Sequence, residues 1–208
     1  MTGAQIKTLT TEILGGLELG DTLFYHLLVS AQRIREAERP WSILVKEDSS
    51  NSVTTANVYT TQHSLPTDIR ELLSDGGVIL IDPSNTDLQK EFVPILFKAR
   101  HQHKRVDGRY YIDWRQSKIH LSGVIDRAYT MYLFYIYRPD ELVAAGTWVF
   151  PSDYHRGLAY DVAAMHELGV DYDDITARQA NANFAMAERI FSAMRKWDSS
   201  LIENSLGH

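Results

Sequence analysis

The sequence predicts an α+β fold, with a helical body built from both ends of the chain and a central antiparallel β-rich insertion. Apolar residues recur at helical spacing before residue 40 and after residue 151, and between these limits the period shortens towards two. The stretch TWVFPSDYHRGLAYDVAAMHE, residues 147–167, marks the return from one pattern to the other. A single domain is expected, divided as helical 1–40, β-rich 41–150 and helical 151–208 with a flexible C-terminal tail.

In chain order, Ile6, Leu9, Ile13 and Leu17 are spaced for a short amphipathic helix that Gly15, Gly16 and Gly20 weaken and end. Asp21 or Thr22 is expected to cap a second helix. Its apolar stripe is Phe24, Leu27, Leu28, Ala31 and Ile34; Arg33, Arg35, Glu36 and Glu38 take the polar side, and Pro40 stops it. SILVK reads as a strand, EDSSNS as a turn and VTTANVYT as one or two strands. LPTDIREL reads as a turn followed by one helical turn capped by Thr67 or Asp68, SDGG as a tight turn and VILID as a strand closed by Pro83. SNTDLQKEF reads as a loop or one helical turn, and KARHQHKRVDGR as a basic connection with a hairpin signal at Asp107-Gly108. RYYID and KIHLS form a strand pair across WRQS, and AYTMYLFYIY is the longest strand.

Thr147–Phe150 then reads as the end of an extended run that Pro151 stops. Ser152 or Asp153 caps a helix containing Leu158, Val162 and Met165, with Gly169 as its C′ residue. Asp171, Asp173 or Asp174 caps a last long helix whose buried face holds Phe184, Ala187, Phe191 and Met194.

Composition excludes several functions. In 208 residues there is no cysteine, hence no disulfide framework, thiolate metal site or cysteine nucleophile. The net charge of −6 gives no global basic field for nucleic acid. The N-terminus lacks a signal-peptide pattern and no apolar run is long enough to span a bilayer, so a soluble intracellular protein without a membrane partner is expected.

Eight histidines invite a metal, but HELGV at 166 has Val170 where a zinc-protease motif needs its second ligand. His155 and His166 lie too far apart on one helix to share an ion, and His101 and His103 sit among Lys98, Arg100, Lys104 and Arg105. DYDDIT has Thr176 and Ala182 where a calcium loop needs Gly and Glu. Ser152, Asp153 and His155 are adjacent without a nucleophile elbow, and LGGLELGD is no phosphate-binding loop. No catalytic residue, cofactor or metal site is expected.

Two stretches stand out as functional. Residues 98–109 carry Lys98, Arg100, Lys104, Arg105 and Arg109 against Asp107, a local reversal of sign in an acidic chain. The strand 129–137 is apolar on both faces, with Tyr132 and Phe134 on one of them, and an aromatic face of this kind suits a protein interface.

The order of the motifs is itself informative. A helix ending in Pro40-Trp41 precedes LPTDIREL; YYID and KIHL lead into a tyrosine-rich strand ending YRPDEL; FPSDYHRGLAY and an aspartate-led last helix follow. Over about residues 20–198 this resembles the head–tail adaptor proteins, also called connector or head-completion proteins, of tailed bacteriophages. The resemblance implies a homo-oligomeric ring of about twelve copies beneath the portal, extending the DNA channel and joining head to tail or stopper proteins. It implies a virion protein of the neck, made in the host cytoplasm, through which DNA passes without sequence-specific binding. On this basis Phe191, Met194, Trp197 and Leu201 are expected to contact the portal. Arg100, Lys104 and Arg105, with Asp171, Asp173 and Asp174 as an acidic counterpart and Tyr132 and Phe134 as an aromatic patch, are expected at subunit interfaces. A carbohydrate- or receptor-binding virion module, and less so a hydrolase, are the alternative classes.

Overall fold

Helices from both ends of the chain enclose, in sequence, nine antiparallel-rich strands among the described residues, the α+β arrangement that the periodicities predict. The computed structural model describes residues 1–54, 60–74, 76–100, 102, 106–169 and 174–206. The expected strand over VTTANVYT, the SDGG turn, much of the basic segment and the aspartate cap at 171–173 fall wholly or partly outside these residues. The chain divides into two compact units, residues 1–43 with 139–208, and residues 44–138.

The first unit is helical. α1 (Gly3–Ile13) opens on a capping box in which Thr2 and Gln5 satisfy each other's backbone N–H groups. Gly3 is required there, because a Cβ would lie 2.3 Å from the Val143 carbonyl oxygen. α2 (Asp21–Ala37) starts after Gly20 without a side-chain cap; Asp21 is not the cap expected, its carboxylate accepting instead from Lys7 at 2.6 Å. α3 (Ser152–Gly169) begins at Ser152 and includes Gly169, which is therefore helical and not a C′. α4 (Asp174–Leu206) is the longest element. Thr147–Phe150 is not a strand. Thr147 makes one isolated bridge with Thr2, and Trp148 and Phe150 turn inward as core.

The helices are pinned by a buried polar network. Arg35 of α2 reaches Asp161 of α3 through two parallel bonds of 2.7 and 2.8 Å and also pairs with Glu38. Its guanidinium lies 4.2 Å above the ring of Phe191 in α4, and Glu188 is 3.3 Å away. Arg35 and Glu36, read as the solvent side of α2, are therefore interior residues. Glu36 accepts from Gln32 at 2.7 Å and from the Trp148 indole at 2.9 Å, while Gln32 holds Asp140 O and Leu142 N. Asp198 of α4 accepts from Ser42 and faces Arg39 at 3.3 Å. α3 and α4 pack closely at Gly157, where a Cβ would meet the Phe191 ring at 2.6 Å.

The second unit is built from two sheets. β1 (Val45–Val53), β3 (Ile69–Leu72), β4 (Val78–Asp82), β5 (Asn85–Glu91) and β9 (Tyr129–Tyr137) form one, in the order β1-β9-β4-β5. β3 and β4 follow each other along one edge of β9, and Leu73 N→Phe134 O and Phe134 N→Gly77 O carry the ladder across the gap. Gly77 sits where a Cβ would lie 2.2 Å from Leu73 O. The second sheet is β2 (Thr60–Ser64), β8 (Lys118–Ser122), β7 (Arg109–Asp113) and β6 (Val93–Pro94), antiparallel except for the short β6–β7 pair. Leu80, Leu121, Met131 and Leu133 are fully buried in the core of this unit, each worth about 2 kcal/mol.

Four local expectations are corrected here. EDSSNS is not a turn but the middle of β1, where a register shift between Asp48 and Asn51 lets the Asp48 carboxylate accept from Ser50 N. The Ser42–Leu44 part of SILVK is a 3-10 turn. IREL is strand, because its pairing with β9 overrides the weak helical signal, and Asp68 accepts from Lys46 and Tyr135 rather than capping a helix. SNTDLQKEF contains β5, whose residues are exposed throughout and so carry no apolar period to be read.

His63 on β2 is half-buried, and burial holds its imidazole below the ordinary value of 6.5. The unfolded chain therefore binds more protons just below that value, so the stability that neutral His63 contributes is present above 6.5 and lost as pH falls through it. Urea denaturation of the full chain at about pH 8 and about pH 5.5 is expected to show lower stability at the lower pH, and His63→Gln is expected to shrink that difference.

Candidate interaction surfaces

The side chains expected to dock on a portal separate into two groups. Phe191 and Met194 are fully buried within the helical unit: Phe191 packs on Gly157, and Trp148 meets it edge-on at 6.2 Å. Trp197 is half-buried and lies 6.0 Å from Tyr154 of α3, while Leu201 and its neighbour Ile202 are exposed. The surface that the C-terminal part of α4 offers is thus Trp197, Leu201 and Ile202. A helical stripe read from sequence cannot separate the turns covered by α3 from those beyond it.

Next to that surface, α3 and α4 leave a groove of about 430 Å³. Its lining includes Tyr154, Arg156 and Tyr160 from α3 and Met186, Arg189 and Ile190 from α4. Arg156 and Arg189 are exposed and enter no ion pair among the described residues, and Asp153 in the first turn of α3 also lines the groove. Burial, with the nearby Asp153 charge, pushes the Tyr154 hydroxyl above its ordinary range. Sequence reasoning did not single out these residues as a surface. The available signal was the spacing of Met186, Arg189, Ile190 and Ala193, which puts them along one flank of α4.

In the β unit, Tyr132 and Phe134 lie on the face of β9 away from the core, half-buried and stacked with centroids 6.5 Å apart. Register places Ile79 of β4 beside Tyr132 and Glu47 of β1 beside Phe134. On the other sheet, Arg100 lies 4.0 Å above the Phe97 ring, Phe97 meets Tyr111 edge-on at 5.7 Å, and Tyr111 stacks on His120 at 4.5 Å. Burial pushes the Tyr111 hydroxyl up and the His120 imidazole down, so both favour their neutral forms in this stack. Leu96 and Trp114 of this unit are exposed. Lys104, Arg105, Asp171 and Asp173 lie outside the described residues, and Asp174 opens α4.

Among the described residues no group of three or more histidines and carboxylates could hold a metal ion, and no helix is long and apolar enough to cross a membrane. Exposed aromatic, aliphatic and arginine side chains define both units, the layout of a structural assembly protein. The chain belongs to the SU10 adaptor protein family, whose model matches residues 1–203, and is thus a protein of the bacteriophage head–tail adaptor class. A search of curated proteins finds no match. Family membership makes it a structural component of the virion at the head–tail junction.

The different placement of the α4 residues has a thermodynamic signature. Phe191→Ala is expected to cost about 3–5 kcal/mol in urea denaturation. Leu201→Ala, at an exposed position, is expected to stay within about 0.5 kcal/mol of the parent.

Proposed function

We propose that this protein assembles as a ring of about twelve copies between the portal and the tail, continues the DNA channel, and gives stopper or tail proteins their platform. The observation that carries this reading is the family match across residues 1–203, which spans both units. The chemistry of the surfaces supports it. Trp197 and Leu201 at the C-terminal part of α4 supply an aromatic and aliphatic contact for the portal, and Tyr132 and Phe134 supply one for a neighbouring subunit. A net charge of −6 suits a conduit, because a channel making many phosphate contacts would hold DNA in place instead of letting it pass.

Quantitative mass spectrometry of purified particles is expected to find this chain and the portal in equal copy number, about twelve each. Leu201→Glu is expected to lower incorporation while leaving the denaturation curve of the purified chain unchanged. Absence of the parent chain from particles would overturn the reading.

A further inference from the structure

The groove between α3 and α4 has a counterpart on the same chain. α1 ends at Ile13, and Gly15 and Gly16 carry the backbone through positive φ into open space, with nothing within 4 Å of where their Cβ atoms would be. The corner so formed presents Leu17, 53% exposed, and Leu23, 46% exposed. Around them stand Glu12, Glu18 and Asp21, three carboxylates against the single ammonium of Lys7, which bonds Asp21 at 2.6 Å and lies 3.5 Å from Glu18. The carbonyl end of α1 adds negative potential to the same corner.

The groove is complementary in each respect. Its lining includes the apolar surfaces of Met186, Ile190 and Tyr160, and carries Arg156 and Arg189 against one carboxylate, Asp153. Neither guanidinium has an ion-pair partner among the described residues, so each has unspent capacity for a carboxylate from outside. No residue of α1 or α2 lines the groove, so the chain does not fill it with its own corner.

We infer that the α1–α2 corner of one copy docks in the α3–α4 groove of the next, Leu17 entering over Met186 and Ile190 while Glu12 and Glu18 meet Arg156 and Arg189. The contact is heterologous, one patch meeting a different patch, and repeats around an axis until it closes. It rests on the ring reading above and names the surfaces of the helical unit that build it. Charge matching fixes the register, since a like-charged approach of two corners or two grooves is repelled.

The absence of native cysteines makes the test direct. Leu17→Cys and Met186→Cys, both at exposed positions, are introduced together and singly into the full chain, and particles carrying each variant are oxidised and run on non-reducing gels. The double variant is expected to give a ladder of covalent multimers, and the single variants none. Adding Arg189→Glu is expected to lower the cross-linked fraction about tenfold, and Glu18→Arg on that background to restore it. Particles that contain the double variant at portal copy number but yield no ladder would overturn the docking and leave the ring intact. A chain present at one or two copies per particle would overturn the ring, and the docking with it. Thermal melting of each purified variant separates loss of contact from loss of fold, and an intact fold with no charge rescue also counts against the docking.

Discussion

The helical unit depends on where one guanidinium is held. Arg35 projects from α2 into the contact with α3, where Asp161 grips it with both carboxylate oxygens, and its flat face covers Phe191 of α4. Three helices are thereby tied to one side chain. A buried pair of this kind contributes little net stability compared with an apolar isostere, but breaking it from one side costs about 3–5 kcal/mol. Its consequence here is specificity of arrangement. The guanidinium meets Asp161 of α3 and Glu188 of α4 together, and Gly157 supplies the close approach that brings Phe191 under it. Trp41 extends the fixation by donating its indole N–H to the Arg35 carbonyl at 2.9 Å.

The β unit is organised differently, around a strand rather than a charge. β9 is apolar on both faces and pairs with three other strands, so the core-facing row of Tyr129, Met131, Leu133 and Tyr135 sets the register of β1, β3 and β4. Its margins are held by surface ion pairs. Lys90 and the Tyr129 hydroxyl keep the Asp126 carboxyl well below the usual carboxylate range, and Ser84 does the same for Asp82. The Lys90–Asp126 pair is exposed and fixes a turn more than it adds stability. Two units with separate cores, each presenting side chains suited to protein contacts, fit a protein at a junction between larger assemblies.

Much of this was legible in the sequence where burial on one side imposes a period. The helices α1 and α2, the strand pair around Trp114 and the long strand ending at Tyr137 follow their patterns, except that Leu17 and Ile34, read into the two apolar stripes, are exposed. What failed has a common cause, since periodicity reports which residues face water and not what they pair with. Arg35 and Glu36 look solvated because charge normally is, and only Asp161, 126 residues from Arg35, and Trp148, 112 residues from Glu36, explain their burial. β5 looks like a loop because none of its residues is covered, and IREL looks helical until β9 lies beside it. Phe191 and Trp197 belong to the same apolar stripe, yet only the first lies beneath α3 at Gly157. The resemblance drawn from motif order reached the family correctly, because the order of elements survives where individual contacts cannot be read.

The central claim is that these helical units form a closed ring at the head–tail junction. Electron cryomicroscopy of the neck in intact particles tests it most directly. The account predicts continuous helical density for α4 repeated around the channel axis between portal and tail, with each α3–α4 groove filled by the preceding copy. Density that places the chain outside the neck, or as an isolated copy away from the channel axis, would contradict it.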